Sequence, residues 1–287
     1  MKKQNKNHVP CATLPTIVPE MLMKLQRTRR NIIKQMNRQR SGCYAYVASL
    51  LGYESYQDEK ERKIVWAKAA KIFDCYGNRY AVSKITGSRK IAADIIDGAG
   101  LFIIETKKSL KSFADLRKII ENQMITHVQQ LPIIDWWNAE KGRSYLGLAI
   151  IIGETGDLSN YANPAKLWKR LCVGVIDGIR QGGLSKGADN ELWIKHGYNK
   201  RRRSVLWTIG DCLLKTNGKE GRYKKLYDEQ KERYLKRFKK EWIDEGHKAT
   251  TFKPGHAHRC AQRYMEKRVL RDLWNAWNGK VAPIWKK

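Results

Sequence analysis

The stretch QGGLSKGADNELWIKHGYNKRRRSVLW, residues 181–207, sets a serine among glycines and then runs into a block of cations. Ser185 lies 14 residues before Asn199, and Asn199 opens directly onto Lys200-Arg201-Arg202-Arg203. A serine hydroxyl is a weak nucleophile near neutral pH. It becomes effective where fixed positive groups stabilise the charge that develops during attack. Lys186, His196, Asn199, Lys200, Arg201, Arg202 and Arg203 are the groups in this stretch that could line a phosphate. The residues alone leave two readings open. Ser185 is either a nucleophile beside a phosphate clamp, or a residue that turns or caps a loop ahead of a basic helix.

The charge of the whole chain bears on that choice. Its 287 residues carry 57 Lys and Arg against 28 Asp and Glu, a formal net charge of +29. A fold tolerates such self-repulsion most readily when its usual partner is a polyanion. DNA and/or structured RNA is the expected partner, with binding that weakens steeply in salt. An acidic protein or a membrane surface would also match the charge. Arg27, Arg29 and Arg30 near the start and Lys267 and Arg268 near the end join the candidate nucleic-acid contacts. An apolar content of 42% excludes wholesale disorder. Six cysteines without C-x-x-C spacing read as reduced thiols, which points to the cytoplasm, in association with a prokaryotic or viral nucleoid. The longest apolar run, YLGLAIII at 145–152, is too short to span a bilayer, so no membrane partner is expected.

These groups must be positioned by helices. Residues 1–20, with three prolines, read as an extended tail, 21–129 as a helical, coiled-coil-like arm, and 130–287 as a C-terminal domain. Met21, Leu22, Leu25, Ile32, Ile33 and Met36 form one stripe of a first helix. DEKERKIVWAKAAKIFDCYG (58–77) opens with acids and closes on a glycine, as a helix should. Two more helices follow, the second with Ser112 as its N-cap, while LFIIE (101–105) is too short to separate strand from helix. Tyr223, Leu226, Tyr227, Tyr234, Phe238 and Trp242 fall at helical spacing and read as core, as do Leu270, Leu273, Trp274 and Trp277 of a last helix. The class expected is mainly α, and the arm makes self-association plausible.

Within the C-terminal domain, GRSYLGLAIIIGETGDLSNYANPAKLWKRL (142–171) reads as a helix, a Gly153–Gly156 turn, a cap at Asp157 and a helix begun by Pro164. Such a helix-hairpin-helix can hold phosphate through free N–H groups, although any αα-hairpin has this outline. His247, His256, His258 and Cys260 suggest a metal site at first sight. Their spacing suits a basic loop contacting phosphate better than a closed zinc site, and no metal is assigned to them.

IIIGETGDLSNYANPAKLWKRL followed by VGVIDG, then LWIKHGYNKRRRSVLWTIGDCLLK, YKKLYDEQKERYLKRF and HAHRCAQRYMEKRVLRDLW, form an ordered series. Over residues 130–278 this series resembles the C-terminal domain of the IS-one-ten/Piv family of insertion-sequence transposases, the bridge-RNA-guided recombinases. The resemblance implies a DNA transposase in which Ser185 attacks a phosphodiester and forms a phosphoserine link. It departs from the family at Ser185-Lys186-Gly187, where Ser-Gly is usual. Family members also begin with a RuvC-like domain whose four acidic residues hold divalent metal. Only about 20 residues precede the arm here, and Asp74, Asp94, Asp97 and Glu105 on it read as caps and surface charges. Strand transfer is therefore expected only with carboxylates, and any Mg2+ they hold, supplied by another chain, a nuclease-domain partner or a homo-oligomer. A protein that binds RNA or DNA without catalysis, repurposed from such a domain, is the alternative.

Overall fold

A computed structural model describes residues 17–53, 58–185, 187–218 and 220–280. The fold is mainly α, with one two-stranded hairpin. The chain divides into two compact units, residues 27–122 and residues 1–26 together with 123–287.

The first unit is built from α1 (Ile17–Leu50) beyond residue 26, α2 (Glu59–Cys75), α3 (Arg79–Thr86) and α4 (Arg89–Val128) up to residue 122. Asp58 caps α2 by accepting the Glu61 N–H, and Asn78 caps α3 by accepting that of Ala81. Cys43, Val47, Ala48, Ile72, Phe73, Val82, Ile95, Ala99 and Ile103 close one core among these helices. The two helices expected after residue 88 are a single one of 40 residues. Ser112 is inside it, its hydroxyl donating back to the Lys108 carbonyl, so it starts nothing. LFIIE is helical as well.

The second unit contains α5 (Ile134–Asn138), α6 (Tyr145–Thr155), α7 (Pro164–Arg170), strands β1 (Val175–Ile176) and β2 (Ile179–Arg180), then α8 (Asn190–His196), α9 (Lys200–Thr216), α10 (Arg222–Asp244) and α11 (Gly255–Trp277). Helix α11 is the centre. It packs on α7, α9 and α10 and buries Ala261, Met265, Val269, Leu270, Leu273 and Trp277. Three indoles tie its surroundings: Trp168 donates to the Lys267 carbonyl at 3.1 Å, Trp274 to the Tyr161 carbonyl at 2.8 Å, and Trp277 to Asp157 Oδ1 at 2.8 Å. Tyr223 and Tyr227 of the aromatic stripe are buried, whereas Leu226, Tyr234, Phe238 and Trp242 are half-buried.

The boundaries differ from those expected at 20/21 and 129/130. Helix α1 already begins at Ile17, with Pro19 in its first turn, so the tail is shorter than 20 residues; positions 1–16 lie outside the described residues. Residues up to 26 and from 123 belong to the second unit because their side chains are part of its core. Gln26 donates to Glu154 at 2.9 Å, and Met124, Val128, Leu131 and Ile133 are buried. A β-carbon on Gly153 would lie 2.5 Å from the Gln26 side chain and 3.0 Å from the Leu22 carbonyl. Gly153 is thus a close-approach residue within α6, and no turn begins there.

Candidate nucleic-acid interface

The expected hairpin has a longer connection than a Gly153–Gly156 turn. Helix α6 ends at Gly156, and α7 begins only at Pro164 and runs for 7 residues. Four of the N–H groups between them are already engaged. Gly156 donates to Ile152, Ser159 to the Asp157 carboxylate, Asn160 to the Asp157 carbonyl and Tyr161 to Leu158. Pairing inside the connection commits these four donors.

The serine loop is held at its root. Gln181 is 4% exposed; its Oε1 accepts from the Gly174 N–H at 2.9 Å, and its Nε2 donates to the carbonyls of Lys169 and His196. Gly182, at φ 74, sits where a β-carbon would meet the Tyr198 ring at 2.7 Å. Ser185 then stands exposed, and no hydrogen bond among the described residues engages its hydroxyl. Lys186 lies outside the described residues.

The cation block divides by helical phase. Asn199 is the N-cap of α9, its Oδ1 accepting the N–H groups of Arg201 and Arg202 at 3.1 and 3.2 Å, and its own N–H meets the Cys172 sulfur at 3.1 Å. Asn199 is therefore a structural cap; a phosphate would have to compete with its side-chain oxygen for those two N–H groups. Arg202 turns inward to Glu154 at 3.6 Å and Arg203 to Glu266 at 2.9 Å, with side chains 25% and 14% exposed. Lys200 and Arg201 stay exposed. Four cations in the first turn of a 17-residue helix oppose its dipole. A bound anion would relieve that conflict. His196 does not serve as expected: it is 1% exposed, in the last turn of α8, and faces the core.

The fullest gathering of charge includes residues that the sequence reading missed. Arg263 of α11 is pressed toward lower proton affinity by burial, then by the charges of Arg203 and Arg180. His256 is lowered by burial and by Arg259, Arg180 and Arg263, which keeps it neutral at pH 7; its Nε2 lies 3.7 Å from Cys260 Sγ. Lys267 is lowered by burial and by Arg263, and its ammonium sits 5.3 Å from the centre of the Trp168 ring. His256, Arg259, Arg263 and Lys267 recur at spacings of three and four along α11, which places them on one face. One carboxylate, Glu266, answers this group. It is 2% exposed, and burial raises its proton affinity, bringing its pKa to about 7 despite Arg203.

The remaining candidates lie elsewhere. Arg268 is five positions beyond Arg263, about 140° around the helix at 3.6 residues per turn. It stacks on Tyr264 at 4.8 Å and donates to its hydroxyl at 2.6 Å. Arg27, Arg29 and Arg30 belong to the 27–122 unit, where Arg27 is exposed and Arg29 is held by Glu121 at 2.7 Å. The other histidines do not converge on a metal. His258 Nδ1 meets the Tyr227 hydroxyl at 2.6 Å and His247 stacks on Trp242 at 3.8 Å. Among the described residues no group of three His, Cys, Asp or Glu could hold a metal ion. No described helix is long and apolar enough to cross a membrane.

Mainly α is the class of protein that the fold defines. No family model, curated protein or solved structure matches the chain.

Proposed function

We propose that this protein binds the sugar-phosphate backbone of nucleic acid through the cations of β2, α9 and α11. The observation that carries this reading is the crowding of three arginines: Arg203 meets the buried Glu266 at 2.9 Å, and the charges of Arg203 and Arg180 both bear on Arg263. Guanidinium groups this crowded repel one another, and a phosphate that accepts from them turns that repulsion into binding. Lys200 and Arg201 extend the positive surface at the start of α9. Contacts of this kind position a strand without reading its sequence.

Salt titration tests the proposal directly. Log affinity for a DNA duplex should fall linearly with log salt, and the double substitution Arg180→Ala/Arg263→Ala should make that slope shallower by about 2. An unchanged slope removes these two residues from the interface.

The exposed position of Ser185 favours a second reading, serine-dependent strand transfer. Ser185 Oγ would form a bond to phosphorus as the P–O bond to the departing strand breaks. The hydroxyl proton would pass to a base on another chain, and that chain would also supply the carboxylates the transfer needs. A labelled suicide DNA substrate should then form a covalent adduct with wild type in the presence of that chain. Equal adduct with Ser185→Ala would leave the simple binding protein as the function.

A further inference from the structure

Helices α3 and α4 of the 27–122 unit enclose a cleft of about 400 Å³. Gly87, at φ 74, ends α3, and Ser88 Oγ accepts the Ile91 N–H as α4 begins, so the two helices turn sharply about two residues. The cleft's floor is apolar, from Ala92 and Ile96. Tyr80 flanks it and is 68% exposed, with the Lys84 ammonium 4.9 Å from its ring centre. Arg79, Arg89 and Asp97 also line it, Asp97 about two turns beyond Arg89 along α4. All three charged side chains are exposed.

An aromatic ring left this open, with cations around it, is an unusual use of a tyrosine. Buried tyrosines elsewhere in the chain pack into cores; this one offers a face. Flat rings stack on such faces, and the energy is indifferent to sequence because every base has a π-face. The two arginines suit the phosphate that accompanies a base. Asp97 adds selectivity. A carboxylate accepts hydrogen bonds only, so it pairs best with a base edge that carries two adjacent donors. Guanine has that edge in its N1–H and N2 amine; adenine, cytosine and uracil place an acceptor beside their donor.

We propose that this cleft binds one unpaired guanine nucleotide of a single strand, stacked on Tyr80, its Watson–Crick edge at Asp97 and its phosphate between Arg79 and Arg89. Recognition of splayed, unpaired bases by stacking and edge hydrogen bonds is how proteins read single strands. The cleft is separate from the Arg180–Arg263 cluster and makes its own prediction.

The full chain would be titrated by fluorescence anisotropy with a uridine strand of about eight nucleotides, and with the same strand carrying one central guanine. Wild type should bind the guanine strand about tenfold more tightly. Asp97→Asn should abolish that preference and leave the uridine strand unaffected. Tyr80→Ala should weaken both strands about tenfold, while Tyr80→Phe keeps both. The substituted side chains are exposed, and unchanged thermal melting would establish that each variant folds. No guanine preference in wild type, or one that survives Asp97→Asn, overturns the proposal, as does equal binding by wild type and Tyr80→Ala. Arg180→Ala/Arg263→Ala should lose affinity for both strands yet retain the guanine preference, so the two surfaces succeed or fail separately.

Discussion

Replacing Asp272 with alanine is expected to lower the unfolding free energy by about 3–5 kcal/mol, the loss that follows when one partner of a buried ionic network is removed. Asp272 is fully buried on α11. Its Oδ1 accepts from Arg271 Nε and Nη2 at 3.1 and 3.0 Å. Its Oδ2 accepts from Arg222 and, at 3.2 Å, from the Tyr223 hydroxyl. The alanine variant takes from two guanidinium groups and a buried phenol the carboxylate they share, a penalty well beyond that of one lost hydrogen bond. Burial is the largest cause holding the Tyr223 pKa above its usual range, and it persists when Asp272 is removed. A domain has only about 5–15 kcal/mol in total. Urea unfolding followed by circular dichroism measures the effect, and a loss below about 1 kcal/mol would show that the network is dispensable. Tyr223→Phe, which removes one donor and keeps the carboxylate, should fall by only about 1 kcal/mol.

Helices with a clear apolar stripe were legible in the sequence because burial and 3.6-residue spacing coincide there. The aromatic run of α10 and the Leu-Trp face of α11 are examples. What escaped reading depends on partners far away along the chain. Nothing local in IIIGET distinguishes a turn at Gly153 from a helix pressed against Gln26 and Leu22. Ser112 has the residue type of a cap, yet α4 runs through it because the helix is supported from Ile95 to Met124 by buried side chains. The hairpin was readable and was missed. Asp177-Gly178 joins β1 to β2 with Ile176 opposite Ile179, and both turn residues have positive φ, the pattern of a type I′ turn.

The candidate interface shows the same division. The block at 200–203 is visible as a run of cations, but half of it points inward, since Arg202 and Arg203 fall on the face of α9 that meets Glu154 and Glu266. Arg180 and Arg263 stand 83 positions apart and in no charge run, so only the fold brings their charges to bear on one another. The spacing His256, Arg259, Arg263, Lys267 was a signal in the sequence for a basic face, hidden because the same helix also carries a strong core stripe.

Glu266→Gln should behave in the opposite way to the Asp272 substitution and stabilise the protein. Glu266 lies between α9 and α11. Arg203 faces it at 2.9 Å, Gln262 donates to it at 3.3 Å while also holding the Trp207 carbonyl, Gly210 leaves the room it occupies, and the charge of Arg263 reaches it. Burial outweighs these partners and lifts its pKa from 4.5 to about 7. The folded state thus prefers the protonated acid. That contribution to stability is complete below about pH 4.5 and is lost as pH rises through about 7, a loss of about 3 kcal/mol for a shift of this size. Glutamine imitates the protonated form at every pH. Wild type and variant should match near pH 4.5, and by pH 8 the variant should be more stable by about 3 kcal/mol, read from paired urea titrations. A variant less stable than wild type at pH 8 would mean that the Arg203 ion pair outweighs burial. The same substitution removes the one negative charge among Arg180, Arg203 and Arg263, so duplex DNA should bind about fivefold more tightly at ~0.15 M salt, the effect of roughly one extra counterion released. Protonation of wild-type Glu266 does the same work, and its affinity should therefore rise as pH falls through about 7. His256 gains charge over a lower range, because burial and Arg259, Arg180 and Arg263 depress its pKa, and a His256→Ala background isolates the carboxylate's share. In that background Glu266→Gln should bind with an affinity that no longer changes between pH 6 and 8.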